Sequence, residues 1–415
     1  MKLNSKEKKF WSKFAKSHWE KKSLLVKDFA SSIREIDEYQ IFSMLLKYSD
    51  LCRKLKNTDG IKFYENGIRL HEDEVYSLLP EAKDVSLKGY HLRMEKVFSD
   101  YCLVCDELLQ VSQKNREQLL HFSNTLFSYV GFPNRFAEIG LYLGNYRKTP
   151  FGVHVDGCGV FSFPVTGKKL FRLWTPQFAT KNPSLDRSHD YGRFKKYSKV
   201  MNAVPGDMTY WPSSAWHIAE SNGSFSATWS LGVWVDVNHQ QSLESALRPL
   251  LKSQLGPQGQ SSYVNRPTLK ENGQLEKLPQ NFQQSVTKIK KLTRNQIEDS
   301  LMRDWIRLSS AEGFKNAPYL ESNKKLNLKN QIQLNGTEKI QWTDLKSEAK
   351  RIFAFRGKVW ETSKASPLFS LVKDLNLKKV CLLSDYLGAR NGKRDLVILQ
   401  ELFACGAIKL IPKKN

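Results

Sequence analysis

The sequence has few cysteines, no long apolar run and an N-terminus without an apolar segment. Six cysteines in 415 residues are too few to indicate a disulfide framework, which fits a reducing compartment. No stretch reaches the roughly 18 apolar residues that span a bilayer, so no membrane partner is expected. Residues 1–22 are basic but lack the apolar core of a secretory signal. Together these features predict a cytoplasmic protein.

The sequence also has fewer acidic than basic residues. The 65 Lys and Arg outnumber the 42 Asp and Glu, which gives a formal net charge of +23. A charge of this size raises the hypothesis of nucleic-acid binding, or of docking to an acidic or RNA-associated partner. Aromatic residues make up 12% of the chain, and a disordered polyelectrolyte would be poor in them. The length suits two or three folded domains.

The first two predicted regions differ in their apolar pattern. Helical spacing dominates residues 1–130, apart from a short strand at Leu24–Phe29. Residues 131–240 contain short apolar segments separated by Gly, Pro and Asn, which predict an antiparallel barrel or sandwich. A polar stretch, Gln177–Ala203, interrupts this region and is predicted to be a long loop.

The second half of the chain predicts two further regions. Residues 241–325 return to a helical pattern, with one long amphipathic helix over Phe282–Leu308 that packs within the chain or across a homodimer. Residues 326–415 combine a hairpin, a closing strand and three short helices, the second over Val380–Gly388 and the third over Asp395–Gly406. This is the composition of a winged helix-turn-helix unit. Because the third helix is apolar and acidic, we favour docking of a protein or peptide over reading of a DNA groove.

The run His154-Val155-Asp156 carries the strongest chemical signal. On a strand, residues two apart point to the same face, so the imidazole and the carboxylate converge. His217 follows the segment PGDMTYWPSSAW, which predicts a turn and a neighbouring strand. Two histidines and one carboxylate form the facial triad that suits Fe(II) and leaves coordination positions open for a keto acid and dioxygen. Structural zinc is a weaker explanation, because it takes four protein ligands that usually include sulfur.

Lys169 lies fifteen residues after His154 in the predicted strand KLFRLW. It shares a face with Phe171 and Leu173, and a lysine on a mostly apolar face is costly unless it pairs with an anion. The distal carboxylate of 2-oxoglutarate is such an anion. The alternative is a solvated lysine at the rim of the barrel.

These residues resemble the JmjC branch of the cupin-type 2-oxoglutarate oxygenases. The matching segments are HVDGCGVFSFPVTGKKLFRLW, PGDMTYWPSSAWHIAES and SLGVW, and HWEKKSLLVKDF is similar to the N-terminal segment of the family's protein hydroxylases. The order of elements looks like that of the bacterial ribosomal-protein oxygenases, although several of those carry arginine in place of Lys169. The resemblance implies an α+β fold: a JmjC double-stranded β-helix with helical flanks and a C-terminal winged-helix-like domain.

The resemblance also implies a function and its site. Iron would bind His154, Asp156 and His217, and 2-oxoglutarate would contact Lys169, with Asn145 and Trp234 as further cosubstrate contacts. The implied reaction is hydroxylation of a side chain in a protein or peptide, either a ribosomal protein or a ribosomally made precursor peptide. The alternative from a different class is a non-catalytic regulator that binds nucleic acid or metal on a cupin scaffold.

Overall fold

The computed structural model describes residues 4–236, 238–255, 269–275, 277–315, 325–388 and 392–412. The chain divides into two compact units. The first comprises Met1–Asp236, Ala311–Lys324 and Ala404–Gly406, and the second comprises Val237–Ser310, Lys325–Phe403 and Ala407–Asn415. None of the helices in the described part of the chain is long and apolar enough to cross a membrane.

The first unit combines helices with two antiparallel sheets. Its α-helices are α1 Ser5–Ser17, α2 Glu38–Leu55, α3 Glu72–Leu78, α4 Leu87–Glu95, α5 Gln113–Val130 and α6 Pro176–Lys181. Its strands are β1 Leu24–Val26, β2 Ile61–Glu65, β3 Ile68–Arg69, β4 Tyr101–Asp106, β5 Ala137–Gly144, β6 Cys158–Thr166, β7 Lys169–Trp174, β8 Lys199–Ala203, β9 Met208–Trp211, β10 Trp216–Glu220 and β11 Ser226–Trp234.

The helices of this unit begin at polar caps and bury one apolar face. Asp37 caps α2, because its side chain accepts a hydrogen bond from the Gln40 amide at 2.8 Å. Ser112 caps α5 in the same way. The apolar faces of both helices enter the main core, in which Phe122 of α5 packs edge-on against Phe161 and Phe163 of β6.

The two sheets form the predicted barrel. The larger sheet has the order β1-β9-β6-β11-β5-β4-β2-β3, and the smaller has the order β10-β7-β8. Strand β11 is central, since Ser230 pairs with Gly140 of β5 on one side and with Ser162 of β6 on the other. This arrangement is the double-stranded β-helix expected from the sequence, so the α+β fold with a JmjC-type barrel and helical flanks is confirmed.

Two segments of the first unit differ from their predicted structure. Residues 1–130 are not purely helical, because β2, β3 and β4 lie within them and extend the larger sheet. Strand β4 is buried almost throughout, so its sequence YCLVCD lacks the alternation that marks a half-exposed strand. The predicted loop Gln177–Ala203 ends in β8, which pairs with β7. The strand predicted over Leu24–Phe29 is present in a shorter form as β1, which pairs with β9.

The second unit contains five α-helices and six strands within its described residues. The helices are α7 His239–Leu255, α8 Gln280–Ile289, α9 Arg294–Ser310, α10 Leu368–Asn376 and α11 Gly392–Ala404. The strands are β12 Gln331–Leu334, β13 Gln341–Asp344, β14 Lys350–Phe355, β15 Lys358–Ser363, β16 Cys381–Leu382 and β17 Ile408–Leu410. They form two small sheets, β16-β12-β17 and β13-β14-β15.

The prediction of one long helix over Phe282–Leu308 is wrong, since the chain forms α8 and α9 instead. A capping box starts the second helix: the Thr293 amide donates to the Gln296 side chain at 2.8 Å, and the Gln296 amide donates to the Thr293 hydroxyl at 3.3 Å. These reciprocal bonds satisfy amides that a new helix leaves without partners. The break therefore has a local cause.

The C-terminal prediction is partly confirmed. The hairpin is present as β14 and β15, and Arg356 and Gly357 take the positive φ angles, 48° and 79°, of a tight hairpin turn. The first and third short helices are present as α10 and α11, but Val380–Gly388 forms β16 and a short 3₁₀ turn in place of a helix. The winged-helix identity of this region, its domain boundaries and a homodimer remain predictions.

Candidate functional site

A cavity of about 280 Å³ lies between the two sheets of the first unit. The larger sheet contributes side chains from β4, β5, β6, β9 and β11, and the smaller sheet contributes side chains from β7 and β10. The predicted metal ligands His154 and His217 face each other across one antiparallel bridge, and Asp156 follows His154 by two residues. The predicted residues that line the cavity are His154, Asp156, Lys169, His217 and Trp234.

The two histidines are joined through their backbones. The His154 amide donates to the His217 carbonyl at 3.1 Å, and the His217 amide donates to the His154 carbonyl at 2.7 Å. The imidazole centroids lie 4.3 Å apart. The segment 152–154 thus adds a short antiparallel bridge to β10, which places both rings in the cavity.

The Asp156 carboxylate faces the Nε2 atoms of both imidazole rings. Its carboxylate oxygens lie 3.8 Å from His154 Nε2 and 3.4 Å from His217 Nε2. Each Nδ1 is within hydrogen-bond distance of a backbone carbonyl, for His154 that of Gly152 at 2.9 Å and for His217 that of Ala215 at 3.1 Å. A proton on each Nδ1 makes these hydrogen bonds and leaves the Nε2 lone pair free for a metal.

Burial favours uncharged histidine at this site. The pKa of His217 lies well below its usual range, mainly because the ring is buried and also because His154 is close. Burial raises the pKa of Asp156, and the nearby His154 and Arg187 oppose that rise. A bound divalent cation would lower the pKa of Asp156, because it stabilises the ionised carboxylate. It would take the two neutral imidazoles as ligands.

The donor set fits Fe(II). Among the described residues, one group of three or more His, Cys, Asp or Glu side chains has its ligand atoms within 4.8 Å of one another. It consists of His154, Asp156 and His217. Two nitrogens and one carboxylate leave open positions, as non-haem iron sites require. Cys158 also lines the cavity, but burial raises the pKa of its thiol, which disfavours the thiolate that a metal would need.

Lys169 is buried and lines the same cavity. Its side-chain ammonium contacts the hydroxyl of Tyr146 and donates to the Ser221 hydroxyl at 2.9 Å. Burial lowers the pKa of Lys169 to about 7. No carboxylate is in ion-pair contact with this lysine in the part of the chain that the structure describes, so an anionic ligand would supply the partner that stabilises its protonated form.

The other two predicted cosubstrate contacts occupy different positions. Trp234 lines the cavity, and its indole N–H donates to Glu138 at 2.9 Å. The Asn145 side chain points to the backbone, because its oxygen accepts from the Tyr101 amide at 2.9 Å. The cavity is not lined by Asn145.

Sequence reasoning missed three residues beside the site: Tyr146, Ser221 and Arg187. Alternation along the strands gives a signal for two of them. Ser221 follows His217 by four residues just past β10, and Tyr146 continues the even-numbered face of β5 that lines the cavity through Tyr142. Arg187 lies in the segment predicted as a loop, where periodicity gives no signal.

Comparison with known proteins agrees with this architecture. The family of the JmjC domain matches residues 109–242. No curated protein matches the chain. The ribosomal oxygenase YcfD from Escherichia coli, in complex with cobalt and 2-oxoglutarate, matches with a TM-score of 0.50 at 13% identity, over 97% of this chain and 98% of that chain. A crystal structure of the same E. coli protein matches with a TM-score of 0.50 at 12% identity, over 99% of both chains. At this identity the likeness shows the fold.

Proposed function

Because residues 109–242 match the JmjC domain family, we propose that this chain is an Fe(II)- and 2-oxoglutarate-dependent oxygenase that hydroxylates a side chain of a protein or peptide. The observation that carries the proposal is the convergence of His154, Asp156 and His217 in one cavity with the unpaired, buried Lys169. The similar fold of YcfD, a ribosomal oxygenase whose structure holds cobalt and 2-oxoglutarate, supports it.

The three ligands would hold the iron. Bound iron, with 2-oxoglutarate and dioxygen, supplies the oxidation of a substrate C–H bond to C–OH, and 2-oxoglutarate leaves as succinate and carbon dioxide. The protein fixes the two imidazoles through their Nδ1 hydrogen bonds and keeps the coordinating Nε2 atoms free of protons. Asp156 supplies the negative charge that partly balances the cation.

Lys169 would bind the distal carboxylate of 2-oxoglutarate. The ammonium is held by Tyr146 and Ser221, so little side-chain freedom is lost when the anion binds. Lysine gives a point charge rather than the two parallel hydrogen bonds of an arginine, so selection of the carboxylate rests on charge and on the cavity wall. Phe171 and Trp211 belong to that wall, with their ring centroids 4.9 Å apart.

The cosubstrate test uses the purified full-length chain with Fe(II) and 2-oxoglutarate, and succinate as the readout. His154→Ala should abolish succinate formation and weaken Co(II) binding in calorimetry. The control is His121→Ala, because His121 lies exposed on α5 outside the cavity and its loss should change neither quantity. Equal succinate formation by His154→Ala and the unaltered chain would overturn the proposal.

The substrate class is tested separately. Intact-mass comparison of ribosomal proteins and small peptides from cells with and without the chain should reveal a species heavier by one oxygen atom. A ribosomal protein and a ribosomally made precursor peptide are both candidates. Tight RNA or DNA binding without succinate formation on any tested substrate would favour the non-catalytic regulator instead.

A further inference from the structure

Among the described residues, Arg187 and Lys169 are the two basic side chains, apart from histidine, that line the cavity; Lys169 is buried and is assigned to the cosubstrate, and Arg187 is the exposed one. Asp106 and Glu138 also line the cavity, and each forms an ion pair with a lysine. Asp156 belongs to the candidate metal site. Arg187 is exposed, and no carboxylate of the described residues is in ion-pair contact with it. The exposed charged side chain of the cavity that is free to contact a substrate is therefore the positively charged Arg187.

The backbone holds Arg187 beside the metal site. Its amide donates to the Val153 carbonyl at 2.7 Å, and the Val153 amide donates to the Ser188 carbonyl at 3.0 Å. Arg187 takes a positive φ of 54°, which a non-glycine residue adopts at a cost. Because Val153 precedes His154, these two bonds fix the position of Arg187 relative to the reacting centre.

Two lysines continue this positive charge. Lys148 and Lys195 place their ammonium groups 5.8 Å and 5.4 Å from the ring centroid of the same residue, Tyr191. Tyr191 is buried, and its hydroxyl donates to Glu220 at 2.6 Å, so the ring is a fixed support. Lys148 also donates to the carbonyl of His189, two residues after Arg187. The cations are thus positioned before any partner binds.

Arg193 extends the same surface, with its guanidinium 4.6 Å from the ring centroid of Phe194. We call Lys148, Arg187, Arg193 and Lys195 the basic rim. None of the four is in ion-pair contact with a carboxylate of the described residues. The surrounding segment 181–199 contains six Lys or Arg and only two Asp.

We propose that the basic rim docks an acidic stretch of the polypeptide that the enzyme hydroxylates. This inference rests on the proposed function and specifies its substrate class: a peptide or protein segment with Asp or Glu close to the hydroxylated residue. Opposite charge at the entrance speeds encounter and sets the register of the peptide. A strongly basic segment, such as the basic tail of an RNA-bound protein, would be repelled.

The aromatic residues of the rim favour an acidic peptide over RNA. Single-stranded RNA binding uses exposed aromatic faces on which bases stack. Tyr191 and Phe194 are buried, and rim cations lie over their rings. Tyr197 is exposed but is a single ring and has Lys196 near its face. The rim therefore offers positive charge without exposed rings on which bases could stack, which favours a carboxylate partner over RNA.

Binding to model anions tests the proposal on the full-length chain without added iron. The probes are a labelled octapeptide of alternating Glu and Gly, its counterpart of alternating Lys and Gly, and a labelled oligouridylate of equal charge to the Glu peptide. Fluorescence anisotropy at low and high salt gives the affinities. The variants are Lys148→Glu/Lys195→Glu and, separately, Arg187→Gln. Lys47→Glu/Lys54→Glu, at two exposed positions on α2, is the matched charge-reversal control.

The Glu peptide should bind about tenfold more tightly than the Lys peptide, with affinity that falls as salt rises. The double reversal of Lys148 and Lys195 should weaken it by about tenfold and Arg187→Gln by a smaller factor, while the Lys47→Glu/Lys54→Glu control should leave it unchanged. Tighter binding of oligouridylate than of the Glu peptide, lost in the same variants, would show an RNA surface and overturn the proposal. Equal binding of both peptides, or an unaltered affinity in the double reversal, would also overturn it. Succinate formation without a peptide tests the enzyme function separately, so failure of the two ideas is distinguishable.

Discussion

The backbones of His154 and His217 hydrogen-bond to each other in both directions, at 3.1 Å and 2.7 Å. This bridge links a segment without regular structure to β10 of the smaller sheet. The separation of the two imidazoles is therefore set by main-chain bonds, independent of any metal. A site built this way is pre-organised, because the protein has already lost the backbone freedom that metal binding would otherwise remove.

Gly152 lies two residues before His154, and a side chain at this position would disturb the segment that forms the bridge. It takes a φ of 69°, and a Cβ added to it would lie 2.6 Å from the Arg187 carbonyl oxygen. Gly152→Ala should therefore move the segment away from residues 187 and 188 and tilt His154. We expect a loss of about 3 kcal/mol in the free energy of unfolding and a weaker affinity for Co(II). Urea unfolding and calorimetry measure the two effects.

Gly67→Ala is the matched control for this substitution. Gly67 has a similar φ of 82°, but nothing lies within 4 Å of an added Cβ. Its replacement should cost only the conformational strain, about 1 kcal/mol, and should leave Co(II) affinity unchanged. If both variants lose the same stability and Gly152→Ala binds Co(II) normally, the bridge does not depend on Gly152.

Lys169→Met should separate stability from cosubstrate binding. The substitution removes a buried cation and keeps a similar volume, and the hydroxyls of Tyr146, Ser221 and Ser226 can still bond to one another. We expect unchanged or higher stability, together with a KM for 2-oxoglutarate raised about 30-fold or more. Thermal unfolding and succinate formation at varied 2-oxoglutarate provide the measurements. A normal KM would show that Lys169 does not contact the cosubstrate.

The Thr293 cap predicts a local effect in the second unit. Thr293→Ala removes one half of the capping box at the start of α9 and should lower stability by about 1 kcal/mol. Thr287→Ala serves as the control, because the Thr287 hydroxyl bonds to the Gln283 carbonyl within α8 and caps no helix. Thermal unfolding of both variants tests the difference. Equal stability of the two variants would contradict a role of the cap.

The capping box at Thr293 is a feature that the sequence contains but that its apolar pattern obscures. The pattern Thr293-Arg-Asn-Gln296 is a capping box that local reading alone can identify, yet the apolar stripe that runs across it favours one continuous helix. The barrel was predictable, because strand alternation acts over short distances. The three ligands His154, Asp156 and His217 were predictable from residue chemistry, but the strand predicted for His154 and Asp156 is wrong, since His154 forms only an isolated bridge and Asp156 lies in no strand. The bonding of Asn145 to Tyr101 and the placement of Arg187 beside Val153 were not, since each depends on contacts between segments distant in sequence.

Stability should depend on pH through Lys169. Its pKa is about 7 in the folded protein against an ordinary value of 10.5, with burial as the cause. Between these values the unfolded chain binds a proton that the folded chain lacks, so stability rises as the pH increases. From pH 7 to pH 9, the unaltered protein should gain about 2 kcal/mol relative to Lys169→Met, which lacks this group. Urea unfolding of both proteins at the two pH values measures the difference, and a constant difference would contradict the lowered pKa.

Binding of 2-oxoglutarate should draw a proton into the protein. At pH 8 the free Lys169 is mostly neutral, because its pKa is about 7. A bound carboxylate favours the charged ammonium and raises that pKa, so the complex takes up close to one proton. Calorimetry of 2-oxoglutarate binding to the Co(II)-loaded chain, in buffers of different ionisation enthalpy, measures the uptake directly. At pH 6 the lysine is already charged, and the uptake assigned to it should vanish, which supplies the internal control. If uptake at pH 8 equals that at pH 6, the cosubstrate binds without charging Lys169, and the lysine is not its anchor.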